Sequence, residues 1–372
     1  MRSLLYCQHS LGLGHFMRTV QLANELAEAG STAIIAGGVV PDGISIDERV
    51  ILERLPAINM STEGALSSAD PAHAVDSVMR ERHAGISAFV QAFEPDVLLI
   101  EMFPFGRKKF RAEILHLIAL GSNRYRAAVY CSVRDILVTA RKDQVTHDQR
   151  AAACLNENFD GVLVHSDSDL VRLDETFSEV DALKIPVFYT GFVSRRPVIA
   201  SDRRKRIVVS AGGGRVGHAL IDCALRANQI SERCRSHEML VIAGPLANET
   251  ALSPDENRNV RVVAFEPELP RLIASSVLSI SQCGYNTAAE LLATQTPAIF
   301  VPFETESENE QLHRATLLER RKRAIVIRQK DLNSRVLADA IDRIETKPAP
   351  LDISLDGAVR TRELLLEQYR AR

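Results

Sequence analysis

At 372 residues, 46% of them apolar and 25% charged, the chain exceeds what one hydrophobic core usually organises and lacks the bias of a disordered, collagenous or disulfide-framed protein. A formal charge of −3 argues against a nucleic-acid binder, and no apolar run reaches the roughly 18 residues of a membrane span. The six cysteines (Cys7, Cys131, Cys154, Cys223, Cys234 and Cys283) contain no CxxC spacing and fall in apolar patterns, which predicts reduced core thiols and a cytoplasmic protein. The N-terminus enters a strand pattern directly, without the layout of a signal peptide.

Strands alternate with helical stretches along the chain, the pattern of doubly wound α/β sheets. Ser3–Cys7 reads as a strand, followed by the loop Ser10–His15 and a helix over Phe16–Ala29, whose apolar face carries Val20, Leu22, Ala23, Leu26 and Ala27. Further strands are predicted at Ala33–Gly38, Asp96–Ile100, Ala127–Cys131, Gly161–His165 and Val187–Thr190. The polar, Arg-rich stretch Val193–Lys205, with Pro197, reads as a linker. A second α/β series follows: Arg206–Ser210, the glycines Gly212–Gly214, then Met239–Gly244, Val260–Phe265, Val277–Ser281, Ala298–Pro302 and Ala324–Ile327, with a closing helix over Leu355–Tyr369. Two domains result, 1–194 and 206–354, joined by 195–205.

The most informative stretch is Ser281–Glu290. An apolar strand runs into a Gly turn at Gly284-Tyr285, and a helix opens with Asn286-Thr287 and carries Glu290 in its first turn. Such a strand–turn–helix passage aims backbone N–H groups and the positive end of a dipole at an anion, most often phosphate. Glu290, just beyond, suits the hydroxyls of a ribose. Downstream, Pro297–Pro302 forms another strand and Glu310-Gln311 precedes a helix over Leu312–Leu318. This order resembles the donor-binding half of GT-B glycosyltransferases, and within them the family 28 C-terminal domain of the transferases that complete lipid II. The resemblance implies two Rossmann-like domains facing across a cleft, with helix 355–372 packing back on the N-terminal one. It also places Phe265 beside the nucleotide base, against the alternative of a core aromatic at a strand end, and Glu310-Gln311 on donor-sugar hydroxyls; Glu at 310 departs from the Gln of the peptidoglycan enzymes and leaves the sugar open.

In the first half, Gly12-Leu13-Gly14-His15 follows the first strand, at the carboxyl edge where open α/β sheets bind ligands. Gly12 to Arg18 matches a Gly-x-Gly-His-x-x-Arg segment of a UDP-sugar hydrolase of the same fold. That likeness assigns His15 to hydroxyl or water activation, against the alternative of a capping or anion-binding histidine. Glu101, at a strand's carboxyl end, is suited to orient His15, to bind acceptor hydroxyls or to serve as the base itself. Ser132-Val133-Arg134-Asp135 and the segment from Glu101 to Arg111 resemble a group of bacterial predicted glycosyltransferases. Phe103–Arg111, with its basic and aromatic residues, reads either as a surface for an anionic acceptor or a membrane, or as a plain solvated helix start.

Gly212–Gly217 formally fits G-x-G-x-x-G. The next strand ends in Gly244-Pro245 rather than in a ribose-binding acid, which argues against an NAD oxidoreductase. By resemblance, Gly213 and Gly214 instead face the donor diphosphate, and Arg215 either adds positive charge to a donor phosphate or is a surface residue. Asp167-Ser168-Asp169 follows a strand and is read as a helix N-cap, not a metal motif. No His/Cys cluster has metal spacing, so no metal and no cofactor are expected. The resemblance thus implies an inverting, metal-independent glycosyltransferase taking a nucleotide-sugar, with uridine the expected base, and a hydroxyl acceptor that is lipid-linked or anionic, working in the cytoplasm or at the inner face of the membrane. The rivals are a nucleotide-sugar hydrolase and a non-catalytic nucleotide-sugar binder.

Overall fold

The computed structural model describes residues 1–9, 13–61, 65–139, 141–195, 202–211, 217–244, 259–264, 266, 268–306, 308–345, 347–348 and 350–372. The chain forms two compact units: Met1–Leu137, Lys142–Val193 and Ser354–Arg372 make the first, and Val138–Arg141 with Ser194–Ile353 the second.

The first unit contains β1 (Ser3–Cys7), α1 (Gly14–Leu26), β2 (Thr32–Ala36), β3 (Val50–Arg54), β4 (Ile58–Met60), β5 (Leu66–Ser68), α2 (Val75–Phe93), β6 (Val97–Glu101), α3 (Arg111–Ala119), β7 (Ala128–Val133), α4 (Gln144–Asn158), β8 (Gly161–Val164) and β9 (Val187–Tyr189). Its main sheet is parallel in the order β3-β2-β1-β6-β7-β8-β9, and β4-β5 form a separate antiparallel hairpin. Strands covered on both faces read as continuous apolar runs, and every residue of β1, β2, β6 and β7 is buried. The period of two divides β1 between two cores: Leu4 and Tyr6 pack with Ile86 of α2, Ile114 of α3 and Leu155 of α4, while Leu5 and Cys7 pack with Phe16, Val20 and Ala23 of α1.

The second unit contains β10 (Arg204–Ser210), α5 (His218–Ile230), β11 (Glu238–Ile242), β12 (Val260–Val263), α6 (Leu269–Ala274), β13 (Ser276–Ser281), α7 (Tyr285–Thr294), β14 (Ala298–Phe300), α8 (Glu310–Arg320), β15 (Ala324–Val326) and α9 (Ser334–Arg343). Its parallel sheet runs β12-β11-β10-β13-β14-β15, and Ile207, Val209, Leu278 and Ile280 form a core with Leu220 and Ala224 of α5 and Leu337 and Ile341 of α9. The final helix, α10 (Gly357–Arg370), belongs to the first unit. Ser354 N–H donates to Asp167 Oδ2 at 2.6 Å, Phe192 N–H donates to the Ser354 carbonyl at 2.8 Å, and Arg362 donates to Glu25 on α1 at 2.6 Å.

Four expectations change. Asp167-Ser168-Asp169 opens a turn rather than a helix: Asp167 Oδ1 accepts from Asp169 N–H at 2.9 Å, the capping chemistry of an N-cap closing a turn instead. The linker ends earlier than 205, since β10 begins at Arg204. The three aromatic rings of Phe103–Arg111 face no surface: Phe103, Phe105 and Phe110 are buried in the core, leaving Lys108, Lys109 and Arg111 exposed. Glu290 lies in the second turn of α7, because the helix starts at Tyr285 with Gly284 as N-cap.

Candidate functional site

Each sheet reverses its winding beside its first strand, and side chains at the carboxyl ends of the flanking strands converge there. In the first unit the reversal falls between β1 and β6, which pair in parallel. The loop after β1 leads into α1, whose second residue is His15, and Glu101 is the last residue of β6. His15 Nδ1 stands 2.5 Å from Glu101 Oε1; Arg18, one turn along α1, donates to the same oxygen at 2.6 Å, and Arg107 donates to Oε2 at 3.0 Å. The Glu101 and Arg18 side chains are 3% and 0% exposed, whereas His15 keeps 20% of its surface open.

Burial pushes the His15 pKa down to about 3; the neighbouring Glu101 charge opposes this, and the Arg134 and Arg107 guanidinium groups reinforce it. Burial alone would raise the Glu101 carboxyl, but its interaction with the His15 ring, hydrogen bond included, and the Arg107 and Arg18 guanidinium groups hold it well below the usual carboxylate range. The stable state is therefore a carboxylate facing a neutral imidazole. Nδ1–H donates to the carboxylate, and the lone pair sits on Nε2, the form a general base requires.

The end of β1 is tied to α2, α3 and the loops after β2 and β3 by a residue that sequence reasoning missed. Arg82 of α2 is fully buried and uses all five of its N–H donors: Nε and one terminal nitrogen donate to Glu113 at 2.8 and 2.7 Å, and the remaining bonds go to Gln8 Oε1 at 2.6 Å and to the carbonyls of Gly37 and Pro56, each at 2.8 Å. Tyr6 O–H donates to Glu113 Oε1 at 2.5 Å. A Cβ at position 37 would stand 2.0 Å from Gln8 Oε1, so a larger residue there would have to displace the Gln8 end of this network. The signal lay in the spacing Val78-Arg82-Ile86-Val90, which sets a cation on the buried face of α2. A second buried polar chain spans β7, β8 and the end of β9: Ser132 Oγ meets His165 Nε2 and His165 Nδ1 meets Thr190 Oγ1, each at 2.8 Å. Of the other acceptor-side residues, Gly14 is exposed at the start of α1, Arg134 is half-buried, and Gly12 lies outside the described residues.

In the second unit the reversal falls between β10 and β13, with Ser210 opposite Ser281. The Ser281 hydroxyl is buried and makes no hydrogen bond among the described residues. Beyond it, Gly284 caps α7, and Asn286 and Thr287 in the first turn are partly exposed. The Tyr285 ring is buried against the Arg314 guanidinium, 5.9 Å away, so Tyr285 offers its backbone rather than its ring. Glu290 is half-buried with no hydrogen bond among the described residues; burial raises its carboxyl pKa to about 7, and Arg195 partly offsets this. Glu310 is buried at the first position of α8, and Gln311 Oε1 accepts from Phe303 N–H at 3.1 Å, bracing the loop after β14. Gly213, Gly214, Arg215 and Phe265 lie outside the described residues. Among the described residues no group of three His, Cys, Asp or Glu side chains is arranged to hold a metal ion, and no helix is long and apolar enough to cross a membrane.

Two parallel doubly wound sheets, each with its polar residues gathered at the reversal point, define the GT-B class of fold. Residues 207–353 match the family model "Glycosyltransferase family 28 C-terminal domain". The UDP-N-acetylglucosamine–N-acetylmuramyl-(pentapeptide) pyrophosphoryl-undecaprenol N-acetylglucosamine transferase of Caldanaerobacter subterraneus is 27% identical over 163 residues, 42% of this chain and 44% of that enzyme. The enzyme of the same name from Halalkalibacterium halodurans is 24% identical over 82% of this chain and 86% of its own length. The crystal structure of Acinetobacter baumannii MurG superposes with a TM-score of 0.57 at 13% identity, covering 100% of both chains. The chain thus spans less than half of the first relative and, at lower identity, most of the second; the structural likeness carries the fold.

Proposed function

We propose that the protein is a glycosyltransferase that moves a sugar from a nucleotide-sugar, with uridine as the base, onto a hydroxyl acceptor, inverting the anomeric centre and needing no metal. The observation that carries this reading is the neutral His15 held by Glu101 at the reversal point of the first sheet, on a chain whose residues 207–353 match a glycosyltransferase family 28 C-terminal domain.

In this reading His15 Nε2 takes the proton of the acceptor hydroxyl as its oxygen forms the new bond to the anomeric carbon. The bond from that carbon to the β-phosphate oxygen breaks, and the electron pair leaves with the nucleoside diphosphate. The amides at the start of α7, with its dipole, stabilise that departing charge in place of a cation. Glu290 accepts hydrogen bonds from the ribose, Phe265 lies beside the base, Gly213, Gly214 and Arg215 meet the diphosphate, and Glu310 and Gln311 address the sugar. Gly12, Gly14, Arg18 and Arg134 belong to the acceptor side. The relatives named above act on a pyrophosphoryl-undecaprenol, which supports a lipid-linked, anionic acceptor and work at the cytoplasmic face of a membrane.

A nucleotide-sugar hydrolase is the second reading, favoured by the Gly12-to-Arg18 match and by the Arg18–Glu101 bond. Measuring UDP release from a panel of UDP-sugars, with and without hydroxyl acceptors, separates the readings. Release that is slow alone and accelerated by an acceptor supports transfer, and fast release from donor alone supports hydrolysis. Saturable binding without turnover of any donor makes the protein a binder only.

A further inference from the structure

Arg314 is one of the largest fully buried side chains, 1% exposed, on the second turn of α8. Its terminal nitrogen donates to the Cys283 carbonyl at 2.6 Å, and its guanidinium lies 5.9 Å from the Tyr285 ring. Cys283 and Tyr285 flank Gly284, so one guanidinium touches both neighbours of the α7 cap. A peptide unit is planar and trans, so its C=O and N–H point in opposite directions. With the Cys283 carbonyl drawn inward by Arg314, the N–H of the same unit, that of Gly284, is turned outward. That N–H donates to no backbone carbonyl among the described residues. The turn itself is uncrowded: a Cβ built on Gly284 meets nothing within 4 Å.

We infer that Arg314 is a positioning residue that sets the Cys283–Gly284 peptide plane so that the Gly284 N–H is presented to a phosphate oxygen of the donor's diphosphate. The inference rests on the donor-site reading above and deepens it. Arg314 itself does not touch the ligand; it fixes a donor before the ligand arrives and adds buried positive charge behind the α7 N-terminus. A lysine keeps the charge and one donor but not the planar group lying by Tyr285, so it restores only part of the effect.

The test is calorimetry with UDP and with uridine, which lacks the phosphates, on the wild type, Arg314→Met, Arg314→Lys, Gly284→Pro and the Arg314→Met/Gly284→Pro pair. Proline at 284 deletes the N–H while suiting the backbone, whose φ there is −64°. Arg314→Met and Gly284→Pro are each expected to lower UDP affinity about tenfold or more while leaving uridine affinity unchanged. Arg314→Lys is expected to fall between them and the wild type. In the Gly284→Pro background Arg314→Met is expected to cost little more, because both act on one hydrogen bond. Equal losses for UDP and uridine, additive losses in the pair, or wild-type UDP affinity in either single variant overturns the inference. Where Arg314→Met fails to fold, Gly284→Pro decides. A wild type that binds no UDP overturns the donor-site reading itself, a result distinct from the others.

Discussion

Arg18 and His15, one turn apart on α1, converge on the same oxygen of Glu101, at 2.6 and 2.5 Å. The arginine neutralises the carboxylate, so the histidine need not be protonated to stay beside it. The carboxylate in turn fixes which ring nitrogen carries the hydrogen. Base strength and orientation at Nε2 thus derive from a single buried oxygen.

His15→Ala is expected to lower turnover about 10²–10⁴-fold with UDP affinity unchanged, the usual loss for a general base. Glu101→Ala removes the anion shared by Arg18 and Arg107, so it is expected to lower both turnover and stability, the latter by about 3–5 kcal/mol. Turnover, UDP affinity and melting of the two variants, measured together, separate the roles. A fully active His15→Ala beside a dead, folded Glu101→Ala moves the base to Glu101.

With its pKa lowered to about 3, His15 stays unprotonated well below its ordinary range. Turnover under saturating donor is therefore expected to show no acid limb near the usual histidine value between about pH 8 and 5. A limb centred near 6.5 in the wild type, absent from His15→Ala, contradicts the buried neutral imidazole.

Glu290 titrates in the opposite sense. Its folded pKa, about 7, lies above the 4.5 of a free carboxyl. Below about 4.5 it is protonated in both folded and unfolded chains and has no effect on the balance; above about 7 it is charged in both, and the folded state bears the full burial cost. Glu290→Gln is thus expected to raise the melting temperature of the ligand-free protein at pH 8, by up to about 3 kcal/mol of stability, and to leave it unchanged near pH 4.5. Equal melting at both pH values places the carboxyl in a well-solvated setting.

Turnover in EDTA is expected to match turnover in added magnesium or manganese, because amides and a helix dipole are assigned the charge that a cation carries elsewhere. Strict metal dependence, assayed by chelation and add-back, returns Asp167 and Asp169 to consideration and contradicts that assignment.

The strands of both sheets were legible because burial on both faces leaves continuous apolar runs such as Val97–Ile100, and a carboxylate closing such a run, Glu101, stood out against it. The edge strand β3 was not, since only Val50 among its five residues is buried. Arg82, Glu113 and Arg314 were also missed. Each sits at helical spacing among apolar residues and reads as a solvated charge until tertiary packing supplies its partner. Asp167 shows the converse: an N-cap and a turn use the same carboxylate-to-amide bond, and local sequence does not distinguish them.

The claim at the centre of this account is a UDP site built from the β13–α7 turn and Glu290, and calorimetry of UDP against the wild type and Glu290→Ala in EDTA tests it most directly. The account predicts saturable single-site binding to the wild type and a loss of about 1.5–3 kcal/mol, roughly ten- to a hundredfold or more in affinity, in the folded variant. Undetectable UDP binding to the wild type, or equal affinity in Glu290→Ala, contradicts it.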